Sequence, residues 1–304
     1  SIYIWKKIRP MESENNLLIE TYQVPPLEMK VRLSDIQAGT FKTIHSRKAF
    51  KNAIKQGLIK LNSCTAFTAD YISGGEIIEI YKSNKPTTKP AIDLKIDVIY
   101  EDDYLAIVNK PAGMVVSGNK KWTLENSLSG NLKPSTQKDS LPCPEPIHRL
   151  DFPTSGALLI GKTAQSIIVL NKLFEEREIQ KTYYAVTIGS IADHGQIETP
   201  IESKAAITEF KIIESIESPR FGYLNLTELK PQTGRRHQLR IHMARLGNPI
   251  LGDTKYGQDG LVLKGKGLYL QSSSLKFKHP ITDETIHAKI ALPKKFKKLF
   301  PSDN

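Results

Sequence analysis

The sequence predicts an α+β protein in two parts, a small basic α/β module followed by a much larger domain of strands and helices. Three observations carry this. The 304 residues exceed what a single core of about 250 residues accommodates comfortably. A polar stretch at 83–90, with Ser83, Asn84, Pro86, Thr87, Thr88 and Pro90, reads as a linker. On both sides of it, strand-like apolar runs are mixed with segments of helical periodicity, the pattern of an α+β fold. The expected parts are an N-terminal extension at 1–30, the module at 31–82, the linker at 83–90 and the large domain at 91–304.

The extension mixes charge, Asn15-Asn16 and Pro25-Pro26, which fits a strand or two and no evident chemistry. In the module, Ser46 is a good N-cap, Ala49, Phe50, Ala53 and Ile54 recur at helical spacing, and Gly57 is placed to stop the helix. Arg47, Lys48, Lys51 and Lys55 take the remaining face, and no Asp or Glu lies between Asp35 and Asp70. Unopposed positive charge is the consequence. A strand at Leu58–Leu61, a turn at Asn62-Ser63, and Gly74-Gly75 before a strand at Ile77–Ile80 complete the module.

In the large domain, the runs Ile96–Tyr100 and Leu105–Val108 are strands split by a turn at Glu101–Asp103, and Lys110-Pro111-Ala112-Gly113 breaks the second. Ala157–Gly161 is a third strand. An amphipathic helix over 164–178, with Ile167, Ile168, Leu170, Leu173 and Phe174 on its apolar side, leads to a strand at Tyr183–Ile188. Further strands and a helix from about Arg236 to Leu246 follow.

Composition narrows the function class. Lys and Arg number 43 against 32 Asp and Glu, a net charge of +11, which favours a polyanionic partner and makes nucleic acid the leading candidate. The two cysteines, Cys64 and Cys143, are far apart, so a reducing, cytoplasmic setting is expected and no disulfide framework or zinc site is. The lysines of Ser1–Lys7 follow its apolar patch, the reverse of a secretory signal, and no apolar run reaches membrane-spanning length. No Walker or dinucleotide glycine loop and no Gly-x-Ser-x-Gly elbow occurs, so neither a nucleotide cofactor nor serine hydrolysis is indicated. A monomer is the default.

Two segments carry the chemistry. In His148-Arg149-Leu150-Asp151-Phe152-Pro153-Thr154-Ser155-Gly156, the proline disfavours helix at Phe152, so Asp151 sits at a bend before a strand. Taken alone, it suits an aspartate satisfying local backbone amides. Arg149, two residues earlier on an extended segment, projects to the same side; a basic neighbour favours the ionised carboxylate and a role as nucleophile or base. Arg149 serves equally well as a plain salt-bridge partner. The second segment, Gly234-Arg235-Arg236-His237-Gln238-Leu239-Arg240-Ile241-His242-Met243-Ala244-Arg245, places glycine at a plausible helix start, Leu239, Met243 and Leu246 on one stripe, and Arg236 and Arg240 on another face. Four arginines and two histidines there suit phosphate or carboxylate contacts. His237 and His242, five apart, share no helical face, so no metal site is expected.

Taken in order, Asn109-Lys110-Pro111-Ala112-Gly113, the 148–156 segment, Lys181-Thr182-Tyr183, Thr233–Arg240 and Gly247–Gly257 resemble the RluA family of RNA pseudouridine synthases over about Ile96 to Leu292. Residues 41–81 resemble the αL-type RNA-binding module of ribosomal small-subunit protein four, with Ser63 standing where that family has glycine, a change expected to widen the turn. Two further departures are Ser117-Gly118-Asn119 in place of the usual His-Pro and the double arginine Arg235-Arg236.

The resemblance implies a mixed, mainly antiparallel sheet flanked by helices and the isomerisation of specific uridines in structured RNA, ribosomal more than transfer RNA, without cofactor or metal. It implies that Asp151 is the essential aspartate, attacking the sugar or removing a proton from it, that Tyr183 packs on the uracil, and that Arg240 pairs with Asp151; on spacing alone Arg235 is an equal candidate. It places Arg149 where the target base is displaced from its stack, with His148, Lys110 and Arg235 also at the substrate. Arg47, Lys48, Lys51 and Lys55 would contact RNA phosphates. Two alternatives are weighed against this. A non-catalytic RNA-binding or ribosome-assembly protein has no need of the Asp151, Tyr183 and Arg240 trio, and a nucleoside hydrolase would need a second carboxylate.

Overall fold

A strand at 77–82 organises the first part of the chain. The computed structural model describes residues 16–36, 39–83, 91–263 and 265–301, and the chain divides into two compact units, 1–88 and 89–304. The features noted at Ser1–Lys7, and the linker beyond Ser83, lie outside the described residues.

The first unit contains β1 (Leu17–Gln23), β2 (Val31–Arg32), α1 (Arg47–Lys55), β3 (Ile59–Leu61), β4 (Cys64–Thr65), β5 (Tyr71–Ile72) and β6 (Ile77–Lys82). Its four-stranded sheet runs β1-β6-β3-β4, and β2 pairs with β5. Within the stretch read as an extension, Leu17–Gln23 form β1, which pairs antiparallel along β6, from Leu17 opposite Lys82 to Gln23 opposite Ile77. An edge strand that leaves one side of β6 bare would expose its amides, and β1 covers them. Helix α1 forms as expected. Ser46 Oγ accepts from the Ala49 amide at 3.1 Å, Gly57 turns left-handed with φ +71°, and Phe50 and Ile54 are buried against Phe41, Ile59, Ile78 and Ile80.

The turn after β3 is tight, not widened. Asn62 and Ser63 both take left-handed backbone, φ +48° and +63°, joining Leu61 directly to Cys64 in the β3–β4 register. Asn62 tolerates this conformation and its Oδ1 accepts from the Ile77 amide at 2.8 Å, but Ser63 carries a Cβ that costs about 1 kcal/mol there. Ser63→Gly is therefore expected to raise stability by roughly 0.5 kcal/mol after glycine's own entropy cost. A urea titration checks this, and a lowered midpoint would contradict it.

The second unit contains β7 (Asp97–Glu101), β8 (Leu105–Lys110), α2 (Leu128–Asn131), β9 (Ser140–Pro146), β10 (Ser155–Thr163), α3 (Ala164–Glu175), β11 (Gln180–Ile188), β12 (His194–Ile197), β13 (Thr208–Ser218), β14 (Gly222–Pro231), α4 (Gln238–Arg245), β15 (Leu270–Lys278), β16 (Thr285–Lys289) and α5 (Lys294–Lys297). One ten-stranded sheet runs β12-β13-β14-β11-β15-β10-β8-β7, with β16 on β15 and β9 on β10. Every pairing is antiparallel except β10 with β15.

That parallel pairing fixes the heart of the unit. Gly156 of β10 and Tyr183 of β11 both pair with Ser272 of β15, so the bend that follows Asp151 and the Tyr183 ring lie at one level across three strands. Gly156 has φ +115°, and a Cβ there would meet the Ser272 carbonyl at 2.1 Å, so no other residue lets the strands approach. Helix α3 stops at Glu175, short of 178, because Arg177 turns left-handed at φ +62°. Among the described residues, no helix is long and apolar enough to cross a membrane.

Candidate active site

Asp151 lies between β9 and β10, where the Thr154 amide donates to the Asp151 backbone carbonyl at 3.0 Å. This closes the bend with main-chain atoms and leaves the carboxylate for other partners. Arg240 Nη1 donates to its Oδ2 at 3.4 Å, and His237 Nε2 stands 3.7 Å from its Oδ1. Beside it, Asp253 does satisfy local amides: its Oδ1 accepts from Lys255 and Tyr256 at 3.0 and 3.1 Å.

Asp253 is also what sequence reasoning missed. Arg240 Nε and Nη2 donate to its two oxygens at 2.7 and 2.8 Å, a bidentate pair far tighter than the contact with Asp151. Burial alone would raise the Asp253 carboxyl, but the guanidinium and the two amides outweigh it and hold its pKa below the ordinary range. The residue falls within the Gly247–Gly257 motif, so its position was visible while its partner was not. Arg240 thus reaches Asp151 from a fixed mount.

The helix that carries Arg240 begins later than its sequence suggests. Gly234 is not the left-handed residue at its start; His237 is, with φ +55°, so Arg236 precedes α4 and shares no helical face with Arg240. Gln238 fastens this start: its Oε1 accepts from Thr233 Oγ1 and the Arg235 amide, and its Nε2 donates to the Ile207 carbonyl and Thr208 Oγ1. His237 Nδ1 and the Tyr256 hydroxyl share a hydrogen bond at 2.8 Å. His242 lies on the buried side, its Nε2 2.9 Å from the Thr199 carbonyl and its Nδ1 2.9 Å from Thr208 Oγ1. A carbonyl can only accept, so Nε2 carries the proton and Nδ1 accepts. Among the described residues, no three His, Cys, Asp or Glu side chains cluster as metal ligands.

A cavity of about 420 Å³ opens over this arrangement, its wall including His148, Arg149, Asp151, Tyr183, Arg235 and Arg240. Asp151 is the only carboxylate in that wall among the described residues. Burial, reinforced by Asp151 and opposed by the Ser272 hydroxyl, pushes the Tyr183 phenol up to about 12, so the ring is a neutral surface. Arg149 is exposed at the rim and has no ion pair among the described residues. Arg235 Nε donates to the Ala205 carbonyl at 2.9 Å.

Two residues expected at the substrate are otherwise engaged. Lys110 is fully buried and absent from the cavity wall; its ammonium donates to the carbonyls of Pro111 and Met114 at 2.8 Å and of Phe152 at 3.4 Å. It staples the loop after β8 to the residue following Asp151. Burial pulls its pKa to about 8, against the pull of Asp151. His148 does line the cavity, but its Nε2 accepts the Leu159 amide at 3.1 Å and its ring lies 4.8 Å from Phe174.

Burial lowers the pKa of His148 to about 3 and depresses His237 and His242 as well. Depressed histidines bind fewer protons folded than unfolded, so stability falls as pH drops below the unfolded value of about 6.5. The urea midpoint is expected to be lower at pH 5 than at pH 7.5, and His148→Gln should flatten the difference. An equal or higher midpoint at pH 5 would contradict this.

Residues 104–245 match the RNA pseudouridylate synthase family. A ribosomal large subunit pseudouridine synthase D from Xanthomonas campestris is 31% identical over 284 residues, spanning 84% of this chain and 83% of the relative. A ribosomal large subunit pseudouridine synthase C from Rickettsia bellii is 33% identical over 280 residues, spanning 82% and 90%. A tRNA pseudouridine synthase C from Vibrio parahaemolyticus is 32% identical over 237 residues, spanning 68% and 94%. The solved structure of human RNA pseudouridylate synthase domain containing 1 superposes with a TM-score of 0.55 at 25% identity, covering 65% of this chain and 84% of that one.

Proposed function

Because the chain belongs to the RNA pseudouridylate synthase family, isomerases that convert uridine to pseudouridine, we propose that it modifies specific uridines of large-subunit ribosomal RNA with Asp151 as its catalytic residue. The observation that carries this is a single carboxylate in the cavity wall, with Arg240 at 3.4 Å and the Tyr183 ring in the same wall. In the reaction the bond from the sugar to N1 of uracil breaks, the base turns, a bond from the sugar to C5 forms, the hydrogen of C5 leaves to solvent as a proton, and N1 takes up a proton. An anion beside the sugar favours the oxocarbenium-like state that bond cleavage generates. Asp151 supplies it, either by attacking the sugar or by removing a proton from it, and Arg240 keeps the carboxylate oriented.

A hydrolase with two carboxylates finds no second one in this wall among the described residues. A base stacked in a helix is out of reach, so the target uridine is flipped into the cavity, at a cost of a few kcal/mol. Arg149, free at the rim, fills the space it leaves, and the Tyr183 face receives the uracil. Ribosomal RNA is favoured over transfer RNA because the relatives that span most of this chain carry ribosomal large subunit names.

The test is release of tritium from [5-³H]uridine-labelled transcripts of large-subunit ribosomal RNA and of transfer RNA. Release from the ribosomal transcript supports the reading; release from transfer RNA alone moves the target, and release from neither refutes the activity.

The first unit is proposed to supply phosphate contacts through α1, in the manner of the αL-type RNA-binding module. Arg47, Lys48, Lys51 and Lys55 lie on α1, where Arg47 Nη2 donates to the Asp35 backbone carbonyl at 3.3 Å and Lys51 is 3.9 Å from the Asp35 carboxylate. Replacing Lys48, Lys51 and Lys55 together with alanine is expected to reduce the slope of log affinity against log salt by about two. An unchanged slope in an anisotropy titration would rule out that role.

A further inference from the structure

The cavity over Asp151 continues past its own wall. Phe174, Lys181, Pro231, Thr233, Gly234 and Arg235 line it and also line a second cavity of about 720 Å³. To this shared wall the second cavity adds Arg177 and Lys230, with Glu175 the one carboxylate among the described residues. Lys230 is neutralised by Glu228 at 2.7 Å. Arg177, Lys181 and Arg235 have no ion pair among the described residues; the Lys181 ammonium lies over the Phe174 ring, 5.9 Å from its centroid.

Three cations facing one hollow without a carboxylate partner repel one another. Burial, followed by the charge of Arg177, depresses Lys181 below its ordinary value. The backbone enforces this crowding. Arg177 follows the last turn of α3 with φ +62°, which takes it out of helical register at the edge of the hollow, and Lys181 sits on β11 two residues before Tyr183, on the same side of the strand. A fork-shaped guanidinium and a point-charge ammonium are the donors that suit phosphate.

We propose that this second cavity is a phosphate subsite, in which Arg177, Lys181 and Arg235 take the phosphodiester next to the target uridine. It rests on the reading of the first cavity as the uridine site: once a base enters there, the RNA backbone must leave along a neighbouring wall, and the shared residues Lys181 and Arg235 mark that exit. The subsite would fix the direction in which the strand runs through the cleft.

The test compares the wild-type chain with Arg177→Asn, asparagine being tolerated at left-handed φ, in binding a ribosomal RNA hairpin carrying the modified uridine. The slope of log affinity against log salt should fall by about one, with KM rising about tenfold and affected more than kcat. A methylphosphonate in place of the single linkage beside the target uridine should weaken wild-type binding by a similar factor and leave Arg177→Asn unaffected. An unchanged slope, or losses that add, would overturn the subsite. If the wild type released no tritium while the slope and linkage results held, the isomerase reading would fail and the phosphate subsite would stand.

Discussion

Asp151→Asn is expected to lower tritium release by at least about 10³-fold while leaving RNA affinity within a few fold. The large loss follows from chemistry: an amide neither attacks a sugar nor accepts its proton, and removing a reacting group costs 10³ or more. The small effect on binding follows from geometry. Asparagine has the same shape, its carbonyl oxygen still accepts from Arg240, and Arg240 keeps its bidentate bond to Asp253, so no buried charge is stranded. Removing one anion from a basic wall gives RNA phosphates no reason to leave. Single-turnover tritium release and an anisotropy titration on the same preparation check both halves, and a parallel loss of binding would mean that the variant had disturbed the cavity.

Asp253→Asn should produce the largest loss of stability of any conservative change near the site. The side chains of Arg240 and Asp253 are 6% and 1% exposed, so asparagine leaves a buried guanidinium with an amide where a carboxylate had been. Breaking one side of a buried ion pair costs about 3–5 kcal/mol, which lowers Tm by roughly 10 °C in a protein of this size. Activity should fall about 10- to 100-fold as well, because the mount that aims Nη1 at Asp151 is loosened. Calorimetry with a tritium assay well below the new Tm separates the two effects. A variant with wild-type Tm and rate would show that packing alone holds Arg240.

The legible parts of this protein were those that depend on neighbours in sequence. Helix α1 could be read because Ser46, Phe50, Ile54 and Gly57 are a local cap, stripe and stop, and the bend at Asp151 because Pro153 acts on the residue before it. Contacts made across the chain could not. Strand β1 belongs with β6, some 60 residues later, and nothing in Leu17–Gln23 names that partner. The pairing of Arg240 with Asp253 depends on the loop after α4 folding back, and the same fold lets Asp253, not Asp151, cap local amides. Two residues misled for a physical reason. Ser63 and His237 adopt left-handed backbone that sequence reasoning assigns to glycine, so the Asn62-Ser63 turn was expected too wide and α4 too early. Lys110 was expected at the substrate from its place in a motif, but its burial among carbonyls makes it a staple for the Asp151 bend.

The central claim is that one carboxylate in the large unit performs uridine isomerisation in ribosomal RNA. The most direct test maps pseudouridines in ribosomal RNA from cells lacking this protein, and from the same cells supplied with the wild-type chain or with Asp151→Asn. The account predicts that one or more large-subunit sites revert to uridine in the deletion, return with the wild-type chain and stay absent with Asp151→Asn. Restoration by Asp151→Asn, or an unaltered map in the deletion, would contradict it.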